Sequence, residues 1–542
     1  MGLARLARAR VIVTPSSKDR PCGTRRPVGG AKSCASWSMA LCITAGFFGP
    51  DKFAHQSERS ICAYRPQHRR ANPSANANVA HLRRKVSEGA LPAMNGPAQE
   101  ATVSLWKTAD RNLLRYMGLG GDFTSFVPER AEGSWLYDAS GRKVLDFTSG
   151  QMSSVLGHAH PDLVEALHQA AGRLDHLFSM MISRPVVELA AALAELLPEL
   201  PRSMFLSTGG ESVEAAIRLA KVVTGKWEVV AFAQSYHGST GAAASATYSI
   251  GRRGHGPLMP GAFAIPAPNA FHPRFPGVTW EQELDDSFNL LDRQSTGNLA
   301  AFIAEPVLST GGIIDLPTGY LKALKGHCER RGMLLIVDEA QTSLGRTGEM
   351  FAFERDGVVP DIVLLSKTLG AGMAMSSLST SDAIAQIAQE RGFMFVTTHV
   401  NDPLPAAVAL KVLEVIRRDR LIDNARMLSS RLLRGLQTLM QKHPCIGDVR
   451  GRGLLLGIEF VPYAGQSATA ITSKVTEVAL ELGVSANITG AYSAGVMRLA
   501  PPITSTEDEI DFALEVLDTA ISAAVDSHLA AGPVRVGRHG EP

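Results

Sequence analysis

Short, wholly apolar runs alternate with helical stretches through the middle of the chain. The runs are Val229–Phe232, Ala300–Ala304, Leu334–Val337 and Ile362–Leu365. Apolar runs of this length, separated by helices, indicate parallel strands that are buried on both faces. The pattern therefore predicts an α/β fold built on a large, doubly wound, mostly parallel sheet.

Elements of a smaller α/β part flank this region. Ser134–Asp138 and Gly141–Phe147 read as a hairpin around a glycine-containing turn, while Leu454–Phe460 reads as a strand and Glu507–Ala524 as a closing helix. We therefore predict a small domain made from both chain ends. The predicted segments are residues 94–147 (first part of the small domain), 148–402 (large domain), 403–528 (second part of the small domain) and 529–542 (a tail).

Residues 1–93 differ from the rest in composition. They hold 16 Lys and Arg against 4 Asp and Glu, a charge of +12 within a chain of net charge +2, so the body carries −10. A basic stretch rich in Arg, Ser, Ala and Pro without periodicity predicts a disordered leader. Two other interpretations stay open, an organellar transit peptide and a true start at Met94. The mildly acidic body does not favour a nucleic-acid partner.

Cysteine usage and hydropathy bear on the compartment. Four of the six cysteines lie in the leader, only Cys328 and Cys445 lie in the body, and no CxxC pair occurs. This favours a reduced, cytoplasmic protein, with an organellar location as the alternative if the leader is a transit peptide. No apolar run reaches the roughly 20 residues that span a bilayer, so we expect no membrane association.

Polar residues follow the apolar runs at the point where each predicted strand ends. Asp338 follows Leu334–Val337, Lys367 comes two residues after Ile362–Leu365, and Glu305 follows Ala300–Ala304. Ligands of open parallel sheets bind at the carboxyl ends of the strands. A lysine that forms an imine with an aldehyde, beside a carboxylate that pairs with a pyridinium nitrogen, is what pyridoxal 5′-phosphate (PLP) requires.

Two further segments supply what the remainder of this cofactor needs. Thr208, Gly209 and Gly210 precede a good helical stretch, and the N–H groups at a helix N-terminus bind phosphate. Tyr236 follows the strand Val229–Phe232 and is placed to stack on the cofactor ring. His237 is expected to be structural, with a hydrogen bond in the site as the alternative.

The residues around Asp338 and Lys367 resemble class III (ω-type) aminotransferases of the fold-type I PLP-dependent transferases. Several other strings resemble one branch, the 2,2-dialkylglycine decarboxylases, from about residue 104 to residue 525. These strings are residues 149–158, 174–179, 397–405, 451–457 and 498–502.

The resemblance implies a role for each matching position. Lys367 is the Schiff-base lysine and the acid/base, and Asp338 pairs with the pyridinium nitrogen. Gln341 bonds the ring hydroxyl. Arg498 binds the substrate carboxylate in the transamination half-reaction, and Gln151 contacts the carboxylate that leaves. The phosphate is held by residues 208–210, with Thr398 contributed by the partner subunit of a homodimer or dimer of dimers.

The same resemblance implies an alkali cation, potassium or sodium, near the site. Its ligands are side chains of Ser179 and Asp402 and backbone oxygens of Leu177, Thr398 and Val400. An all-oxygen set of low charge suits an alkali ion better than zinc.

The implied activity is decarboxylation-dependent transamination, for example of 2-aminoisobutyrate with pyruvate to give acetone, CO₂ and alanine. Two departures from the branch occur: Tyr236 stands where decarboxylases carry Trp, and Gly210 stands at a position often held by Ala. The first makes a class III ω-aminotransferase without decarboxylation the main alternative. A PLP-fold binding module without catalysis is a third reading, which the presence of both Lys367 and Asp338 disfavours.

Overall fold

The structure of the protein is a computed structural model, and it describes residues 97–116, 123–489 and 495–529. The predictions for the leader, residues 1–93, and for the tail after residue 529 lie outside the described residues.

The strands and helices are numbered in chain order. The strands are β1 (Pro128–Glu132), β2 (Trp135–Asp138), β3 (Lys143–Asp146), β4 (Arg202–Leu206), β5 (Glu228–Phe232), β6 (Ala262–Ile265), β7 (Leu299–Ala304), β8 (Val307–Leu308), β9 (Ile314–Asp315), β10 (Leu334–Asp338), β11 (Ile362–Leu365), β12 (Ser376–Thr380), β13 (Ile446–Arg452), β14 (Leu455–Phe460), β15 (Val484–Ser485), β16 (Asn487–Ile488) and β17 (Val496–Leu499). The α-helices are α1 (Pro97–Asn112), α2 (Ser149–Met152), α3 (Pro161–Ala171), α4 (Arg184–Leu196), α5 (Gly209–Thr224), α6 (Gly241–Ala246), α7 (Trp280–Gln294), α8 (Tyr320–Arg331), α9 (Asp382–Glu390), α10 (Pro403–Arg418), α11 (Leu421–Lys442), α12 (Ala468–Leu482) and α13 (Glu507–Leu529). Two 3₁₀ helices span Ala352–Asp356 and Lys367–Leu369.

Seven strands form the main sheet in the order β4-β12-β11-β10-β7-β5-β6. Neighbours pair in parallel, except that β12 runs antiparallel to both β11 and β4. The four apolar runs correspond to β5, β7, β10 and β11, which are consecutive neighbours in this sheet. The predicted fold class, a doubly wound and mostly parallel α/β fold, is confirmed.

The central strands are apolar throughout because both of their faces are covered. Val230, Phe302 and Leu335 point into one hydrophobic cluster with side chains of α8. Alternate residues of the same strands, such as Ala301 and Ile336, pack into a second cluster with side chains of α5. Helices on both faces leave the strand ends as the place where polar side chains can gather.

Two four-stranded sheets lie outside the main one. The first has the order β1-β2-β3-β15 and includes the predicted hairpin, to which the structure adds β1 and β15. The second is antiparallel, with the order β13-β14-β17-β16, and Arg498 lies in β17. The predicted strand in this part begins at Leu455, one residue later than expected, and the closing helix α13 continues to Leu529.

None of the described helices is both long enough and apolar enough to cross a membrane.

Candidate active site

Four neighbouring strands of the main sheet end in polar residues at one edge. Tyr236 follows β5, Glu305 follows β7, Asp338 is the last residue of β10, and Lys367 follows β11. Because these strands are parallel, their carboxyl ends meet at the same edge of the sheet. The sheet order therefore brings the sequence-predicted lysine, carboxylate and aromatic ring to one place, together with Glu305.

Lys367 begins a short 3₁₀ helix directly after the edge of the sheet. Its φ of 31° lies in the left-handed region, a conformation that costs a non-glycine residue free energy and is typical of functional sites. No described residue accepts a hydrogen bond from its amine. Burial lowers the pKa of this amine, an effect that Asp338 opposes and Arg498 reinforces. A lysine with a lowered pKa has more of the neutral form that attacks carbonyls and accepts protons.

Asp338 is buried and held by a histidine. His237 Nδ1 lies 2.8 Å from Asp338 Oδ2, and the Ala340 N–H donates to Asp338 Oδ1 at 3.1 Å. His237 is itself buried, its backbone N–H donates to Thr247 Oγ1, and its Nε2 has no hydrogen-bond partner among the described residues. The carboxylate is thus fixed in position by His237 on one oxygen and by the Ala340 N–H on the other.

Glu305 is a second buried carboxyl group beside the first. Its Oε1 accepts a hydrogen bond from the Tyr236 N–H at 2.8 Å. Burial raises the pKa of Glu305 to about 7, with His237 lowering it and Asp338 raising it further. The carboxyl group of Glu305 therefore gains its negative charge near neutral pH. This charge interacts electrostatically with the charges of Lys367 and Arg498.

Arg498 lies buried in β17 and forms no ion pair with any described residue. It donates from Nε to Asn487 Oδ1 and from Nη1 to Ser309 Oγ, both at 3.0 Å, and from Nη1 to Gln341 Oε1 at 3.4 Å. Burial lowers the pKa of Arg498 to about 10, and Glu305 opposes the shift. A buried guanidinium with neutral partners keeps an uncompensated positive charge that a substrate carboxylate would neutralise.

The N-terminus of α5 lies beside the lysine turn. Thr208 caps this helix by accepting from the Glu211 N–H, and its carbonyl accepts from Ser376 Oγ at 2.7 Å. A Cβ on Gly209 would lie 2.9 Å from Ser366 Oγ, so the helix start is close to the residue before Lys367. The N–H groups of a first helical turn have no partner within the helix and bind anions.

Gln151 lies on a distorted turn next to the lysine. Within α2, Gly150 and Gln151 are not helical, and both Ser149 (φ 45°) and Met152 (φ 59°) adopt left-handed φ values. This turn contacts the 3₁₀ helix that starts at Lys367, and the Gln151 side chain is exposed. Gln151 is therefore close to the lysine turn, but no hydrogen bond joins it to the other described site residues.

The predicted cation ligands form a separate group. Asp402 Oδ1 lies 2.6 Å from His176 Nδ1, and Asp402 Oδ2 lies 2.5 Å from His399 Nδ1. The structure thus joins residues 176–179, which contain Leu177 and Ser179, to residues 398–402, which contain Thr398 and Val400. Within the described part of the chain, none of these residues bonds to Lys367, Asp338 or Arg498, and Thr398 is exposed.

Sequence reasoning assigned no role to several residues that the structure places in the site. Glu305 was visible as a polar residue at a strand end, a signal that pointed to it as strongly as to Asp338. For His237 the alternative prediction, a hydrogen bond in the site, agrees with the structure, where its Nδ1 bonds the Asp338 carboxylate. Ser309, which is 189 residues away in the sequence, and Asn487, which lies opposite Arg498 in the paired strand β16, both contact Arg498, and no local pattern marks them.

The described residues fit PLP. The Lys367 amine, which has a lowered pKa and no hydrogen-bond acceptor among the described residues, matches the cofactor's aldehyde. The buried carboxylate backed by a histidine matches the ring nitrogen, and the helix N-terminus with Gly209 close to Ser366 matches the phosphate. Together with the parallel sheet, this arrangement defines a fold-type I PLP-dependent transferase.

Comparison with known proteins agrees with this class. The sequence profile of the class III aminotransferases matches residues 116–521. An uncharacterized aminotransferase of Schizosaccharomyces pombe is 50% identical over 428 residues, 78% of this chain and 95% of that protein. A mitochondrial alanine–glyoxylate aminotransferase 2 homologue of Arabidopsis thaliana is 35% identical, over 72% of this chain and 81% of that protein.

A solved structure is similar as well. The ω-transaminase of Pseudomonas jessenii in complex with PMP superposes with a TM-score of 0.72 at 26% identity, over 79% of this chain and 99% of that one. This protein therefore belongs to the class III aminotransferase family.

Proposed function

We propose that this protein is a decarboxylating, PLP-dependent aminotransferase acting on 2,2-dialkylglycines. With 2-aminoisobutyrate and pyruvate the products are acetone, CO₂ and alanine, which balances all atoms. The observation that supports this most is that two different side chains suited to a carboxylate lie near the turn that begins at Lys367. One is Arg498, a buried cation that forms no ion pair with any described residue. The other is Gln151, a neutral donor on a distorted turn.

Which of the two side chains, Gln151 or Arg498, holds the substrate carboxylate determines which bond at Cα reacts. PLP, when bound, supplies an electron sink for the charge that develops at Cα as one of its bonds breaks. The bond that breaks is the one held perpendicular to the cofactor ring. A carboxylate held by Gln151, which adds no charge, is free to leave as CO₂. A carboxylate neutralised by Arg498 is retained, and the bond that changes at Cα is the C–H bond, which forms when pyruvate becomes alanine.

The remaining residues hold charge and move protons. Asp338, fixed by His237, keeps a negative charge facing the ring nitrogen. With PLP bound, Lys367 Nζ would give a proton to C4′ after CO₂ leaves. In the second half-reaction it would take a proton from C4′, where its lowered pKa makes it an effective base, and deliver a proton to Cα of the alanine that forms. Thr208, Gly209 and Gly210 hold the phosphate, Tyr236 stacks on the ring, and Gln341 bonds its hydroxyl.

We propose a homodimer in which Thr398 completes the phosphate site of the partner subunit. Its exposure in a single chain supports this. Large apolar side chains are exposed on the two segments that meet at His176 and His399, and we call them the apolar patch: Phe178, Met180, Met181, Ile182, Met394 and Val396. Exposed apolar groups on this scale are typical of an interface.

We further propose an alkali cation held by Ser179, Asp402 and the backbone oxygens of Leu177, Thr398 and Val400. The contacts of Asp402 with His176 and His399 bring the two ligand-bearing segments together. A carboxylate has about four lone pairs, so the two histidines leave acceptor capacity for a cation.

The experiment that tests the proposed function supplies the protein with PLP, a potassium salt, 2-aminoisobutyrate and pyruvate. We expect acetone, CO₂ and alanine in equal amounts, and a loss of turnover of at least about 10³-fold in Lys367→Ala. Transamination of isopropylamine or another simple amine, with no CO₂ from 2-aminoisobutyrate, would instead establish a plain ω-aminotransferase. Tyr236, which replaces the Trp of decarboxylases, would then be the first residue to exchange.

A further inference from the structure

His176, His399 and Asp402 form a cluster whose chemistry goes beyond that of an alkali-cation site. One ring nitrogen from each histidine and one carboxylate oxygen lie within 4.8 Å of one another. Among the described residues this is the group in which three such side chains converge. The two imidazole rings are 4.9 Å apart and tilted by 48°, so they do not stack, and both direct Nδ1 toward the same carboxylate.

The backbone holds this cluster in place from one side. Asn401, with a left-handed φ of 58°, donates its N–H to the Phe205 carbonyl at 2.9 Å and accepts the Phe205 N–H on Oδ1 at 3.1 Å. Residues 399–402 are thereby fixed to the end of β4. Asp402 stands directly before α10, yet its carboxylate caps no helical N–H and turns to the histidines instead. The carboxylate is nearly buried, with 10% of its side chain exposed, whereas the His176 and His399 side chains are 43% and 58% exposed.

We infer that this cluster binds a divalent transition metal ion, with Zn²⁺ as the favoured species, through His176 Nδ1, His399 Nδ1 and the Asp402 carboxylate. Imidazole and carboxylate ligands suit Zn²⁺, and three protein ligands leave the fourth tetrahedral position to water. Binding requires each ring to keep its remaining proton on Nε2, which frees the Nδ1 lone pairs that now face Asp402.

The proposed metal site shares Asp402 with the proposed alkali-cation site, so the two ions would compete for this carboxylate. The competition, unlike zinc binding itself, rests on the proposed function. A Zn²⁺ ion would draw the carboxylate toward nitrogen ligands and away from the oxygen set formed by Ser179, Thr398 and Val400. Potassium and zinc are therefore expected to compete, so that zinc would act as an inhibitor relieved by potassium.

Metal binding is tested on the full-length holoenzyme by equilibrium dialysis against Zn²⁺, with Co²⁺ as a spectroscopic probe of the ligand set. We expect His176→Ala and His399→Ala each to lose one equivalent of tightly bound metal, with an affinity at that site at least about 100-fold weaker. Residues 1–93 contain cysteines and histidines that could also bind metal. The measured quantity is therefore the difference in metal bound per chain between wild type and variant, not the total metal bound. Neither variant removes a residue of the Lys367 site, and retained PLP absorbance verifies folding.

The matched control is His272→Ala, which removes an exposed histidine that pairs with Glu459 at 2.5 Å. Among the described residues, His272 belongs to no group of three side chains that could hold a metal ion. It should keep the equivalent that the other two lose. The inference is overturned if wild type and His399→Ala bind the same amount of metal, or if His272→Ala loses as much.

The competition between zinc and potassium is tested by measuring zinc affinity in KCl and, at equal ionic strength, in tetramethylammonium chloride. A weaker zinc affinity in KCl supports the shared carboxylate, and equal affinities contradict it.

Discussion

Glu305 is the residue whose charge is most sensitive to neutral pH in the site. Its pKa of about 7 lies well above that of an unfolded glutamate, so the folded protein favours the neutral acid. Its contribution to stability is therefore complete below about pH 4 and is lost as the pH rises through about 7. Above pH 7 the ionised group competes with a substrate carboxylate for Arg498.

We therefore predict that the KM for pyruvate rises several-fold between about pH 6 and pH 8 in the wild type and stays nearly level in Glu305→Gln. Steady-state kinetics at each pH gives the measurement. Glu339→Gln is the matched control, because burial also raises the pKa of Glu339 to about 7, but this group bonds Thr342 and the Phe353 N–H and does not act on Arg498. A pyruvate KM with the same pH dependence in wild type and Glu305→Gln would refute the role given to Glu305.

Arg498 leads to a second prediction at this scale. Arg498→Lys keeps the charge but loses the planar fork that holds a carboxylate by two bonds. We expect the affinity for pyruvate to fall by about 2 kcal/mol, or roughly 30-fold. The internal control is an amine without a carboxylate, such as isopropylamine, whose KM should change less than about threefold if it is a substrate. Equal losses for both substrates would mean that the substitution disturbs the whole site.

At the scale of elements, the four central parallel strands could be predicted from the sequence, and the strands that flank them could not. Apolar runs at β5, β7, β10 and β11 are unambiguous because both faces of these strands are buried. Strand β12, with its serines (SSLST), carries no apolar signal although every residue is buried. The hydroxyls of Ser376 and Thr380 donate to the Thr208 and Asp361 carbonyls, which lowers the cost of burying them. Lys367 and Asp338 could be predicted as site residues from the sequence because each follows an apolar run that indicates a buried strand. Contacts such as Ser309 to Arg498 depend on tertiary structure alone.

The first turn of α5 yields an element-scale prediction. Gly209→Ala would place a Cβ 2.9 Å from Ser366 Oγ and push on the residue before Lys367, so the affinity for PLP should fall about tenfold or more. Gly210→Ala is the matched control, because its Cβ would meet Thr240 Oγ1 at 3.4 Å, a contact that a small shift relieves. Titration of the apoenzyme with PLP measures both. A Gly210→Ala protein that loses as much affinity as Gly209→Ala would contradict this account of the helix start.

At the scale of the whole molecule, the proposed dimer rests on the apolar patch. Met180 and Ile182 are 84% and 86% exposed in the single chain, an unfavourable state for groups of that size unless a second surface covers them.

We predict that Ile182→Glu converts a dimer into a monomer and, by separating Thr398 from the partner's phosphate site, weakens PLP binding. Sedimentation velocity gives the mass. Leu290→Glu, on a 52% exposed position of α7, should leave a dimer intact. An Ile182→Glu protein that sediments as a dimer with unchanged PLP affinity would place the interface elsewhere.

The most direct test of the central claim is a single turnover. PLP-loaded protein is mixed with excess 2-aminoisobutyrate labelled in its carboxyl carbon, with no oxo acid present, and labelled CO₂ and acetone are counted against active sites. The account predicts one CO₂ and one acetone per site, after which the reaction stops until pyruvate is added and alanine forms. If the cofactor is aminated by a simple amine while 2-aminoisobutyrate releases no label, the protein is an aminotransferase that does not decarboxylate.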